Sequence, residues 1–224
     1  MKGSSLGVAT RLLLSACSAI GADTHGQANA RFAHELQHYE QVMAQPRPAL
    51  EFVDGSQAGN CREYLQLRQH KAISEGVRNR SLSANYRVCP TLQALRQATP
   101  SPRFDHPDAT AGEMLYDRLD LQSFHSSLGP VASRYPTLAQ LPDKQSLNVG
   151  HNAVTLLSED WYMKLEVVAR ADIDHDGLED WLVWLTDEAR NGNYRGYESL
   201  VIYGVSGDGL LKAEPVNLAT LQSR

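Results

Sequence analysis

Residues 172–180 read Asp-Ile-Asp-His-Asp-Gly-Leu-Glu-Asp, and no other stretch restricts the fold of this 224-residue chain so tightly. Aspartates stand at the first, third, fifth and ninth places of the run, with glycine at the sixth. Carboxylates this close repel one another unless water or a cation screens them. Calcium takes about six to eight hard oxygen ligands at about 2.3–2.6 Å, and alternate aspartates on a tight turn deliver several of them to one point. Gly177 permits the sharp turn, after which the Leu178 carbonyl can join the carboxylates. The competing reading is a plain hairpin turn with solvated carboxylates.

The flanking sequence selects among calcium loops. An EF-hand needs a helix on each side and a bidentate glutamate at the twelfth place. Here Val183 holds that place, and strand-like segments lie on both sides. The run resembles the DxDxDGxxD loop of FG-GAP-type integrin and lectin-like repeats. The resemblance implies side-chain ligation by Asp172, Asp174, Asp176 and Asp180, a carbonyl from Leu178, and a Ca2+ ion that fixes the loop rather than reacts. It covers the loop and its adjoining strands only. The run occurs once, so the repeated blades of a propeller are not implied.

Around the loop the pattern is that of strands. Met163, Leu165, Val167, Ala169 and Ala171 alternate with Lys164, Glu166, Val168 and Arg170, which predicts a strand with one buried face. Residues 181–186, WLVWLT, are apolar on both faces, as in a central strand covered on both sides. Residues 198–205 give a third strand, and Ser206-Gly207-Asp208-Gly209 a hairpin turn into 210–214. Earlier in the chain the spacing is helical. Phe32, Leu36, Tyr39 and Met43 predict a helix over 28–44, ended by Pro46 and Pro48; further helices are expected over 60–75, 90–98 and 112–124. Segments 99–111 and 125–150 read as connector and loop. Helices gathered ahead of strands predict an α+β fold with a C-terminal antiparallel meander. The division is a helical, loop-rich part at 28–150 and a β part at 151–224, read together as one domain.

Residues 1–22 have the order of an export signal: basic Lys2 and Arg11, a short apolar run, then small residues. Leu14-Ser15-Ala16-Cys17 resembles the bacterial lipobox, which implies lipidation of Cys17 and a lipid-anchored protein of the periplasm or outer membrane. Cleavage near Gly21 or Ala22, discarding Cys17, is the other export reading; an N-terminal helix of a cytosolic protein is a third. Outside that leader stand two cysteines, Cys61 and Cys89, an even number that suits one disulfide in an oxidising compartment. The net charge of −5 and the lack of a Lys/Arg cluster argue against nucleic acid as a partner.

Other constellations are thinner. His125, Ser126, Ser127, His151 and Asp160 can be assembled on paper into a hydrolytic set, but no G-x-S-x-G elbow supports it. His34 and His38, four residues apart, lack the HExxH context of a zinc site and read as a solvated helix face. Trp184, Tyr194, Arg195 and Tyr197 offer a partner surface beside the Asp loop; core packing is the alternative use of these aromatics. The sequence therefore predicts an exported binding protein with a structural Ca2+ and an unidentified protein or envelope partner, touching membrane only through a lipid anchor. A toxin-immunity or envelope-accessory role fits that description. A calcium-stabilised hydrolase and a purely structural envelope component are the alternatives.

Overall fold

A computed structural model describes residues 27–28, 30–99, 109–143 and 146–217. The export signal with Cys17 lies outside the described residues, as does most of the 99–111 connector. After a short β1 (Gln27–Ala28), the apolar stripe of Phe32, Leu36 and Met43 forms two helices rather than one. α1 (Ala30–Gln37) and α2 (Tyr39–Ala44) are broken at His38, whose backbone leaves the helical region at φ −108°, ψ 28°. The hairpin of β2 (Leu50–Glu51) and β3 (Gln57–Ala58) leads to α3 (Cys61–Arg68), whose cap Asn60 accepts from the Glu63 amide at 3.0 Å. α4 (Val77–Ser83) has no counterpart in the sequence reading; α5 (Val88–Gln97) does, with Pro90 in its first turn.

α6 (Ala111–Arg118) opens with a capping box between Thr110 and Glu113. It stops short of the expected residue 124 because the chain turns to a distant partner. The Leu211 amide donates to Arg118 O, and the Asp120 amide to Leu211 O, each at 2.8 Å. A single turn, α7 (Gly129–Ala132), precedes the sheet.

β4 (Leu147–Val149), β5 (Ala153–Leu157), β6 (Trp161–Ala171), β7 (Asp180–Ala189), β8 (Arg195–Ile202) and β9 (Ala213–Pro215) pair antiparallel in chain order, so the fold is α+β with a C-terminal meander. β1 adds to the same side of β6 as β5, opposite Ala169 and Arg170. β4 falls where the sequence reads as loop, and β9 begins later than the 206–209 turn predicts.

Both faces of the sheet are covered. Leu182, Trp184 and Val201 pack with Phe32, Tyr64, Tyr86 and Leu92 of the N-terminal helical layer and with Phe52 of the β2–β3 hairpin. Trp181, Val183, Leu185 and Ile202 pack on the other side with Leu115, Leu119, Leu121 and Leu138. Residues 181–186 thus form the doubly covered strand their composition predicts; each such side chain contributes about 1.5–3 kcal/mol on burial. The alternation expected along β6 breaks. Val167 pairs with Val183 and Ala169 with Leu182, leaving Val168 as a bulge. Met163, Leu165 and Val167 therefore face the second core, whereas Val168, Ala169 and Ala171 face the first. The extra residue also sets the orientation of the strand end that leads into Asp172.

Cys61 and Cys89 form the expected disulfide, which joins α3 to α5 inside the first core. No helix among the described residues is long and apolar enough to cross a membrane.

Candidate metal site

The loop between β6 and β7 is shaped by its own aspartates. Asp174 Oδ1 accepts from the Asp176 amide at 3.2 Å, and Asp176 Oδ1 from the Leu178 amide at 2.8 Å, both two-residue Asx turns. Gly177 donates its amide to Asp172 Oδ2 at 3.1 Å. His175 and Gly177 take left-handed conformations at φ 64° and 83°, which glycine adopts without strain. The result brings one carboxylate oxygen each from Asp172, Asp174 and Asp176 within 4.8 Å of one another. Three carboxylates so placed can hold a metal ion.

Burial is graded across the three. Asp172 is only 5% exposed, Asp174 is half-buried and Asp176 is exposed. Asp172 Oδ2 is satisfied by Gly177 and by the Thr99 hydroxyl at 3.2 Å, but Asp172 Oδ1 is buried without a hydrogen-bond partner. An unpaired buried carboxylate oxygen is costly, of the order of 1–3 kcal/mol or more. A cation between the three side chains would remove that cost and their mutual repulsion together.

Asp180 stands apart from this triad. Its oxygens accept from the Ile173 amide at 2.7 Å and the Gly204 amide at 2.8 Å, which fastens the loop to the segment after β8. Burial pushes its carboxyl up to about 6, against those amide bonds, which favour the charged form. Leu178, the expected carbonyl ligand, leaves the turn with its amide on Asp176 and its side chain beside Gly204.

Two participants escape the sequence reading. Thr99, at the end of α5, exchanges backbone hydrogen bonds with Asp172, 3.0 Å in each direction, besides its hydroxyl contact. A residue 73 positions away carries no local signal for this. Glu179 is buried; it accepts from Trp181 Nε1 at 2.7 Å and lies 3.9 Å from Arg170, while its carbonyl accepts from the Val205 amide. The loop is thereby joined to the helical layer through Thr99 and to the 203–205 segment through Glu179 and Asp180.

The expected partner surface needs correction at Trp184. This side chain is 8% exposed and belongs to the first core. Its Nε1 donates to Thr91 Oγ1 at 2.9 Å, and its ring meets Phe32 edge-on at 5.7 Å. Alternation along β7 places it with Leu182 on the face that the helices cover, opposite Val183 and Leu185. Arg87 lies between Trp184 and Tyr197, 4.9 Å and 5.2 Å from their ring centres, and donates to Leu185 O and Thr186 Oγ1. Tyr197 donates to Glu188, and burial pushes its hydroxyl up to about 12. Tyr194 donates to the buried Asp187 at 3.2 Å, and Arg195 donates to the carbonyls of Ala189, Gly192 and Tyr194. These three half-buried residues close the β7–β8 turn.

Of the residues considered for hydrolysis, Ser127 donates its amide and hydroxyl to Asp187, at 2.6 and 2.7 Å. His125, His151 and Asp160 are exposed on three different connections. His34 and His38 are stacked on the surface, ring centres 4.4 Å apart. No family model, curated protein or solved structure matches this chain.

Proposed function

We propose that the 172–180 loop is a calcium site, and that its ion is structural in an exported protein acting by binding a partner at the cell envelope. The buried, unpaired Oδ1 of Asp172 beside the Asp174 and Asp176 carboxylates carries the reading. The donor set is all hard oxygen, without the nitrogen or sulfur that zinc or copper sites use. Calcium suits a flexible, asymmetric carboxylate cluster better than magnesium, which demands a tighter octahedron. The ion would tie α5, β6, β7 and the segment after β8 into one junction, since all four already meet at this loop.

Export is supported by the leader order of residues 1–22 and by the Cys61–Cys89 pair, which suits an oxidising compartment. Millimolar external calcium is enough for a site of roughly 10⁻⁵–10⁻³ M affinity. Titration calorimetry of the purified protein with CaCl2 tests the core of this proposal. Binding in that range, lost in Asp174→Ala and in Asp176→Ala, is the expected result. A folded wild type that takes up no calcium would reduce the aspartates to a solvated turn.

A further inference from the structure

A second site lies where the helical layer meets the outer edge of the sheet. A cleft of about 380 Å³ opens between α3, the first turn of α5, β8 and β9. Tyr64, Arg68, Pro90, Glu198, Glu214 and Pro215 are among its walls. The walls are held before any ligand arrives. The Cys61–Cys89 bond lies one helical turn from Tyr64 and next to Pro90, and the Val216 amide donates to Ser199 O at 3.0 Å, securing β9.

The chemistry inside is doubly charged. Arg68 and Glu198 form a loose ion pair at 3.9 Å, beyond hydrogen-bonding distance, and Arg68 Nε is buried without a hydrogen-bond partner. Both are about one-third exposed. Burial pushes the Glu198 carboxyl up, with Arg68 acting against it. Glu214, on β9, is exposed and adds a second carboxylate. The balance is one guanidinium and two carboxylates, against the ring of Tyr64 and the apolar Pro90 and Pro215. Such a set complements a ligand that carries one negative and two positive groups on an aliphatic frame.

We infer that this cleft binds a basic amino acid, its carboxylate on Arg68, its α-ammonium on Glu198 and its side-chain cation reaching Glu214. This site shares no residue with the Asp loop and stands or falls independently of the calcium proposal.

The test is an NMR chemical-shift titration of the purified protein with three probes. L-Lysine carries all three groups, L-norleucine lacks the side-chain cation, and cadaverine lacks the carboxylate. L-Lysine should saturate with a Kd of about 1 mM or tighter, shifting resonances of residues 64–69, 198 and 214–217. Norleucine and cadaverine should each bind about tenfold more weakly. Arg68→Met should abolish the preference for lysine over cadaverine. Glu214→Gln should abolish the preference for lysine over norleucine, and its exposed position keeps it informative should Arg68→Met fail to fold. Lysine that does not saturate, cadaverine that binds as tightly as lysine, or a folded Glu214→Gln protein with both preferences intact would each overturn the assignment.

Discussion

Asp172→Asn keeps the shape of the side chain and removes one negative charge, so its effect on stability should depend on calcium. Without the ion, three carboxylate oxygens lie within 4.8 Å of one another, and one oxygen of Asp172 is buried without a partner. The amide oxygen of asparagine can keep the bonds from Gly177 and Thr99, while its NH2 group takes the place of the unpartnered Oδ1. Relief of repulsion, of the order of 1 kcal/mol or more in this partly buried cluster, should leave the variant at least as stable as the wild type in EDTA. With calcium at a hundred times its Kd, the wild type gains about 2.7 kcal/mol by mass action. For a chain of this length that is a rise of about 5–10 °C in melting temperature. The variant loses its deepest anionic ligand and should gain less than about 0.5 kcal/mol under the same conditions. Thermal melts followed by circular dichroism, in EDTA and in CaCl2, measure all four states. Equal calcium shifts in both proteins would refute the ligand role of Asp172. A variant equally destabilised in both solutions would make the residue a structural cap alone.

Three further variants probe the scaffold. Gly112→Ala would place a Cβ 1.9 Å from Gly150 O and 2.8 Å from Ala153 O, so α6 must separate from the β4–β5 turn; urea unfolding should show a loss of about 3 kcal/mol or more. Cys61→Ser with Cys89→Ser opens a bridge spanning 28 positions and should cost about 3–4 kcal/mol, read as the difference between oxidised wild type and the double variant. Trp184→Ala removes a buried ring from the first core and should cost about 3–5 kcal/mol, whereas a truly exposed partner residue would change stability by less than about 0.5. A near-neutral melting temperature for Trp184→Ala would restore it to the surface.

What could be read directly from the chain was what is written over short distances. The Asp loop is legible because its alternating acids and Gly177 act on their own turn, through Asx bonds spanning two residues. The doubly apolar run 181–186 and the helical spacing of Phe32, Leu36 and Met43 report burial through their own periods, and Pro90 marks a helix start. The order of these segments was enough for the α+β class, and the two cysteines beyond the leader-like segment, Cys61 and Cys89, for the bridge. Long-range pairing decided the rest. The Val168 bulge exists because β6 must register with β7 at both ends, and that one residue exchanges the face of everything after it. Trp184 is buried because Phe32 and Thr91, more than ninety positions away, pack onto its strand. Asp180 matches its neighbours in the motif, yet its carboxylate is drawn to Gly204, and Thr99 joins Asp172 from the end of a helix. A side chain's intrinsic chemistry belongs to the sequence; which partner it meets, and whether water reaches it, is settled only when distant segments close around it.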